Sequence, residues 1–184
     1  VVIEKMTELD LLIRISQQLN IKPQIGLRVK ISQTGYGKWC DSGGEKAKFG
    51  LSISEVLTAV YKLKGENLAS CCQLLHFHIG SQISDIGAIK EAITEATRIY
   101  CKIYQEGVEL KYLDVGGGLG IDYDGSQSNN HSSKNYTLEE YAADIVYGIK
   151  QICDIEKTPH PHIVTESGRA ITAQHSCIVT KVMG

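Results

Sequence analysis

Four short segments of the sequence place polar residues where the strands of an α/β protein are expected to end. One of them is the glycine-rich run DVGGGLG at residues 114–120. Because glycine has no Cβ, such a backbone can approach a phosphate closely and direct its N–H groups at the anion. Two common phosphate motifs do not fit, since the dinucleotide fingerprint would need glycine at Ile121 and a P-loop would need Gly-Lys-Ser/Thr. The run therefore predicts a phosphate site, with a tight turn that requires positive φ as the alternative.

A second segment, HFHIGSQ, contains His76 and His78 two positions apart. On a strand this spacing directs both imidazoles to the same face, where either could act on a ligand or serve the structure. Ser81 follows a glycine and could donate a hydrogen bond to a phosphate oxygen. His160 and His162 form a similar pair around a proline, but a zinc site needs a third ligand in matching geometry, so no metal site is predicted.

Two arginines and one carboxylate complete the candidate chemistry. The segment TESGR places Glu166 and Arg169 three residues apart just after a predicted strand. They could pair with each other, or Arg169 could bind a phosphate while Glu166 binds a cation or an N–H group. Arg28 lies in an otherwise apolar strand, so its charge needs a partner if the residue is buried.

These groups together describe one kind of ligand, with a phosphate, a flat ring and a basic ring nitrogen. Glycine N–H groups, Ser81 and Arg169 would hold the phosphate, and an imidazole would stack on the ring. A carboxylate would keep the ring nitrogen protonated. Those are the requirements of pyridoxal phosphate acting as an electron sink.

The elements that could position these segments alternate along the chain. Helical periodicity appears near the N-terminus, and helix-capping residues at Ser52, Asp85 and Thr137 precede three further helices. Strands are predicted at residues 24–30, 72–79, 112–115, 162–166 and 176–182. The alternation indicates a parallel sheet covered by helices, in either a (β/α) barrel or an open doubly wound sheet. The long loops at residues 31–50 and 122–136 are expected to carry function or to move.

The composition narrows the class of protein further. The 184 residues suffice for one domain, and 42% hydrophobic with 22% charged residues is typical of a globular chain. A net charge of -2 argues against a nucleic-acid partner, and no apolar run approaches the roughly 18 residues of a membrane span. The six cysteines contain no C-x-x-C pair, so we expect a reducing, cytoplasmic environment rather than a disulfide framework or a zinc site.

Four runs of the sequence resemble the biosynthetic arginine decarboxylases, pyridoxal-phosphate enzymes of the alanine-racemase-like barrel class. They are HFHIGSQ, DVGGGLGIDYDG, TESGRA and GKWCDSGGEKAKFGLS, at residues 76–82, 114–125, 165–170 and 37–52. Ornithine and diaminopimelate decarboxylases share the first three in looser form, whereas the fourth is more particular to the arginine enzymes. The resemblance implies part of a (β/α)8 TIM barrel. It also implies conversion of L-arginine to agmatine and CO2 in putrescine and spermidine biosynthesis.

The resemblance also implies roles for individual residues. His78 and Glu166 would be catalytic, with His78 stacked on the cofactor ring and Glu166 partnering the pyridine nitrogen. Arg28 would support the histidine side of the site. Phosphate ligands would be Ser81, Gly116, Gly117, Gly118 and Arg169. Substrate contacts would come from Leu113, Asp114, Val115, Gly116, Gly117, Gly118, Leu119, Gly120, Ile121, Asp122 and Tyr123.

Two parts of the family pattern have no counterpart in this sequence. The Schiff-base lysine belongs to a strand upstream of Val1, and Lys48 lies in a loop motif of its own. The C-terminal β domain, which supplies a proton donor across a dimer interface, is also missing. We therefore expect residues 1–184 to be a partial PLP-binding barrel domain that is inactive alone and exposes sheet edges.

Other expectations follow for the full-length protein. It should form a dimer-based homo-oligomer, and the resemblance associates it with Mg²⁺. The alternatives are a decarboxylase of ornithine, lysine or diaminopimelate, and a catalytically inactive relative with a regulatory role. A third is a phosphate-binding sugar or nucleotide enzyme on a similar barrel.

Overall fold

The structure, a computed structural model, describes residues 1–32 and 47–183. Strands and helices alternate along these residues, as the sequence predicted. The strands are β1 (Val2–Ile3), β2 (Ile25–Arg28), β3 (Cys72–His76), β4 (Tyr112–Asp114) and β5 (His162–Val164). The helices are α1 (Met6–Leu19), α2 (Ile53–Gly65), α3 (Ile86–Gln105), α4 (Leu138–Glu156) and α5 (Gly168–Thr172), with a 3-10 turn at Ala69–Cys71. No helix in the described part of the chain is long and apolar enough to cross a membrane.

The five strands form one parallel sheet in the order β1-β2-β3-β4-β5. A doubly wound sheet reverses its strand order at a switch point, whereas this sheet adds each new strand on the same side. A (β/α) barrel is built by that rule, so the topology decides between the two predicted architectures. The chain forms part of a barrel, with β1 at one edge of the described sheet and β5 at the other.

Helices α2, α3 and α4 begin where the sequence predicted. Ser52 accepts a hydrogen bond from the Glu55 amide, and the Glu55 carboxylate accepts one from the Ser52 amide. Thr137 and Glu140 form the same reciprocal pair at the start of α4, and Asp85 caps α3 through the Gly87 amide. These contacts satisfy N–H groups that a helix leaves unpaired in its first turn.

The hydrophobic core lies between the sheet and its helices. Leu27, Leu75 and Leu113 occupy matching positions on adjacent strands and are fully buried. Helices α3 and α4 pack side by side outside them, and a Cβ on Gly148 would lie 3.1 Å from Ile93 Cγ2. This packing fixes the strand ends, and with them the loops that carry the candidate site.

Two predictions about elements were wrong or incomplete. Residues 176–182 form no strand, and Ile178, Val179 and Val182 are about nine-tenths exposed. An alternating pattern needs a neighbouring strand to become a ladder, and this segment has none among the described residues. Strand β1 was missed because two residues are too few to show a period. The predicted loop at residues 31–50 lies mostly outside the described residues.

Candidate functional site

Three polar residues stand side by side at the carboxyl edge of the sheet. Arg28 pairs in register with His76 of the next strand, and His76 pairs with Asp114 of the strand after that. Each is the last residue of its strand. Sites of parallel α/β proteins lie at this edge, so the register assembles the candidate site.

The glycine run packs between the loops that follow β3 and β5. Gly116 and Gly118 have φ of +67° and +98°, a conformation that favours glycine. A Cβ on Gly118 would lie 2.4 Å from the Gly80 carbonyl oxygen, and a Cβ on Gly117 would lie 2.6 Å from that of Glu166. A larger residue at either position would push these loops apart, so the tight turn is confirmed, and the phosphate site stays a prediction.

Three of the amides that follow Asp114 in the run are already used inside the protein. Val115 N–H donates to the Val164 carbonyl oxygen at 2.9 Å. Gly116 N–H donates to Asp114 Oδ1 at 2.9 Å, and Gly120 N–H donates to Tyr136 Oη at 2.9 Å. Gly117 and Gly118 are half-buried, and their N–H groups have no acceptor among the described residues. Both amides are therefore available to an anion.

Ser81 and Arg169, 88 positions apart, come together at the same edge. Arg169 Nη2 donates to Ser81 Oγ at 2.6 Å, and Nη1 donates to Gln82 Oε1 at 3.2 Å. Among the described residues Arg169 forms no ion pair with Glu166, so the reading in which these two pair is wrong. The side chains form a small group of donors beside the glycine loop, suited to phosphate oxygens.

His78 lies against the glycine run, close to the other charged groups of the site. A Cβ on Gly116 would approach its Nδ1 to 3.3 Å. Burial lowers the pKa of His78, and the charges of Arg28 and His76 lower it further, while Glu166 and Asp114 act in the opposite direction. A neutral imidazole is therefore favoured at pH 7, and such a ring can stack on a flat ligand.

Buried His76 and Asp114 form a cluster with the exposed carboxylate of Glu166. His76 Nδ1 lies 3.1 Å from Asp114 Oδ2, without the geometry of a hydrogen bond. A ligand atom of each of His76, Asp114 and Glu166 lies within 4.8 Å of the others. The sequence suggested that His76 and His78 share a face but gave no indication of the contact between His76 and Asp114.

Arg28 has the partner that its place in an apolar strand requires. Its guanidinium forms an ion pair with Glu4, which follows β1, and lies 5.5 Å from the centre of the Phe49 ring. The expected partner is thus confirmed. Both charged side chains remain partly exposed, so this pair holds Arg28 beside the site at little cost in desolvation.

The stretch implied to contact substrate divides into two parts. Leu113, Val115 and Leu119 are buried in the hydrophobic core. Any contact that these three make with a ligand would involve backbone atoms. Asp122 accepts a hydrogen bond from Ser133 Oγ, and Tyr123 is largely exposed, so both belong to the loop at residues 122–136.

Sequence reasoning overlooked two residues that shape the site. Tyr136 is buried, donates to the Ile83 carbonyl at 2.7 Å and accepts from Gly120, and burial raises its pKa to about 12. Gln82 contacts both Ile121, which directly follows the glycine run, and Arg169. Its only sequence signal was its place directly after Ser81, since its partners lie far along the chain.

Comparison with known proteins identifies the class to which this fold and site belong. Residues 1–173 match the family described as pyridoxal-dependent decarboxylase, pyridoxal binding domain. The chain belongs to this family, and its fold is part of an alanine-racemase-like (β/α)8 barrel, as predicted.

Particular relatives are closer in sequence. Biosynthetic arginine decarboxylases of Rhodopirellula baltica and Geobacter sp. are 48% and 51% identical over 183 residues. These alignments cover the whole of this chain but only 27% and 29% of those proteins. The chain therefore spans less than a third of the length of these curated relatives.

Solved structures agree with this assignment. The biosynthetic arginine decarboxylase of Campylobacter jejuni superposes with a TM-score of 0.77 at 40% identity, covering 91% of this chain and 27% of that one. A diaminopimelate decarboxylase of Helicobacter pylori, complexed with L-lysine, gives 0.76 at 27% identity, covering 91% and 39%. The arginine enzyme is thus the more similar of these two neighbours in sequence.

Proposed function

We propose that the full-length protein containing this chain is a pyridoxal-phosphate-dependent arginine decarboxylase. It would convert L-arginine to agmatine and CO2 for putrescine and spermidine biosynthesis. One observation carries the proposal: similarity of about half the residues extends over the entire chain to proteins named biosynthetic arginine decarboxylase. Similarity confined to the three shared motifs would instead have favoured the broader family alone.

The described residues fit this cofactor. The hydroxyl of Ser81, the guanidinium of Arg169 and the free amides of Gly117 and Gly118 supply donors for a phosphate. Side chains at the two glycines would collide with neighbouring carbonyls, so the loop keeps its backbone accessible. Weakly basic His78 beside the loop offers a face for the pyridine ring.

Bound pyridoxal phosphate supplies an electron sink for the electron pair left when CO2 departs. Glu166 would hold a proton on the pyridine nitrogen, and its carboxylate is the residue on which the rate should depend most. His78 would pack against the ring and keep it flat in the site. The Asp114 carboxylate accepts a hydrogen bond from the Gly116 N–H and so maintains the shape of the phosphate loop.

The remaining parts of the enzyme are proposed to complete the site. Because the chain spans less than a third of its curated relatives, we place the lysine that anchors the cofactor and a C-terminal β domain outside residues 1–184. We further propose a cytoplasmic, dimer-based homo-oligomer. Mg²⁺ dependence is tested by dialysis against EDTA followed by addition of MgCl2, with arginine turnover as the readout.

The deciding experiment measures CO2 and amine release by the full-length protein with added pyridoxal phosphate. Arginine, ornithine, lysine and diaminopimelate are supplied in parallel. Agmatine from arginine alone supports the proposal, and turnover of another amino acid alone supports that alternative substrate. Binding of the cofactor without any turnover supports an inactive relative. No binding of the cofactor supports a different phosphate ligand.

A further inference from the structure

Gln82 joins three segments of the candidate site through one buried amide. It follows Ser81 in the loop after β3, and its side chain reaches the end of the glycine run, the loop at residues 122–136 and α5. The residue is 7% exposed. The proposed cofactor and substrate contacts do not involve this side chain.

The amide group of Gln82 is used on both its donor and acceptor sides. Nε2 donates to the Ile121 carbonyl at 2.7 Å and to the Ser133 carbonyl at 3.4 Å. Oε1 accepts from the Ile121 N–H at 3.0 Å and from Arg169 Nη1 at 3.2 Å. The two bonds to Ile121 fix the orientation of the amide, so that its oxygen faces the guanidinium of Arg169.

The backbone of Gln82 adopts a conformation that is unfavourable for glutamine. Its φ is +55°, in the left-handed region that glycine and asparagine adopt more readily than glutamine. Glycine at this position would have no side-chain amide, and the side chain of asparagine is one methylene shorter than that of glutamine. The length of the glutamine side chain therefore accounts for its presence in an unfavourable backbone conformation.

Arg169 depends on this contact for its orientation. The residue is exposed and lies on the short helix α5, and the structure gives its guanidinium two partners, Ser81 and Gln82. Ser81 Oγ accepts from Arg169 and its O–H can at the same time donate to a phosphate oxygen, so this contact can exist with or without a bound phosphate. Gln82 is held by Ile121 and remains a fixed acceptor in either case.

We propose that Gln82 is a positioning residue that orients Arg169 toward the phosphate of the bound cofactor and ties it to the glycine loop. The inference rests on the proposed function, because it assumes that Arg169 meets a phosphate. It makes Gln82 act through Arg169, so its contribution should appear only with ligands that carry the phosphate and only while Arg169 is present.

The test measures dissociation constants of pyridoxal phosphate and of pyridoxal, which lacks the phosphate, for the full-length protein. Gln82→Met keeps the length of the side chain and removes the amide, and Gln82→Asn keeps an amide that is too short. Each should weaken binding of pyridoxal phosphate about tenfold, the scale of one hydrogen bond to a charged group. Binding of pyridoxal should change less than twofold, by roughly the effect of an uninvolved surface residue.

The Gln82→Asn variant separates positioning from folding. Because asparagine tolerates positive φ better, this variant should lose less thermal midpoint than Gln82→Met while losing the preference for the phosphate to the same extent. Gln127→Asn is the matched control, since Gln127 is exposed and has φ of +49°. The control should leave both dissociation constants unchanged.

A double variant completes the design. Arg169→Met should weaken binding of pyridoxal phosphate, and adding Gln82→Met should cause little further loss if Gln82 acts through Arg169. Additive losses, or equal losses with pyridoxal and pyridoxal phosphate, would overturn the inference. A parent protein that binds neither compound would refute the proposed function itself, and the inference with it.

Discussion

At the scale of one residue, substitution of Glu166 is expected to have the largest effect on turnover. Its carboxylate follows β5 and lies within 4.8 Å of ligand atoms on His76 and Asp114. We expect Glu166→Gln in the full-length protein to lower turnover of arginine by about 10²–10³-fold, because a neutral amide cannot balance a protonated ring nitrogen. Measured dissociation constants should show that most of the affinity for the cofactor remains.

A matched control for this substitution is Glu109→Gln, which changes an exposed glutamate outside the helices and strands. Its turnover should equal that of the parent protein. Unchanged turnover in Glu166→Gln would remove Glu166 from the proposed mechanism.

His78 gives a prediction about pH. Its pKa in the folded protein is lowered, chiefly by burial, so below pH 6.5 the unfolded chain takes up a proton that the folded chain resists. The free energy of unfolding should therefore fall as the pH drops below 6.5. Well above pH 6.5, His78 should contribute no pH dependence to it. His78→Gln should reduce the loss of thermal midpoint between pH 8.0 and pH 5.5.

His131, an exposed histidine of the loop at residues 122–136, supplies the control for this measurement. His131→Gln should leave the difference between the two midpoints as it is in the parent protein. An equal difference in His78→Gln and the parent would contradict the assigned environment of His78.

The loops at the strand ends depend on glycine at the scale of the element. Gly118→Ala would combine a φ of +98° with a Cβ placed 2.4 Å from the Gly80 carbonyl oxygen. We expect a loss of stability of about 1–3 kcal/mol from the backbone strain, and more from the collision. Weaker binding of pyridoxal phosphate should accompany it, because the loops after β3 and β4 would separate.

Gly125→Ala separates these two contributions. Gly125 also has a positive φ, of +75°, but a Cβ there would meet no atom within 4 Å. The control should show the cost of backbone strain alone and keep the affinity for pyridoxal phosphate. Equal effects of the two substitutions, measured by thermal midpoint and dissociation constant, would argue against close packing at Gly118.

Elements were predictable from the sequence where their signals are local. The capping pairs of Ser52 and Thr137 follow from spacing of three residues, and both were confirmed. The contact between Gln82 and Arg169 spans 87 positions and depends on the order of three strands, which periodicity did not determine. The alternating residues at 176–182 show the converse, since they have a strand pattern but no neighbouring strand among the described residues, and they stay irregular and exposed.

At the scale of the whole molecule, the described residues 1–32 and 47–183 leave a large apolar surface uncovered. A groove of about 570 Å³ runs between β1 and α1. Its exposed apolar side chains are Val1, Val2, Leu11, Ile15, Leu19 and Ile21. Within the described part of the chain β1 has only β2 as a neighbour, so a row of its backbone N–H and C=O groups is also open there. In the full-length protein we expect further elements of the barrel to cover this face.

This surface predicts how residues 1–184 behave when they are produced alone. They should self-associate and bind an apolar dye such as ANS, because a large exposed apolar patch is unfavourable in water. The double substitution Leu11→Lys with Ile15→Lys places two charges on the groove and should shift the species toward monomer in analytical ultracentrifugation. Ile53→Lys, on a similarly exposed residue of α2, should leave the distribution unchanged. If residues 1–184 are monomeric and bind no dye, this face does not need to be covered by other elements. The full-length protein should in that case tolerate the same two lysines without loss of stability.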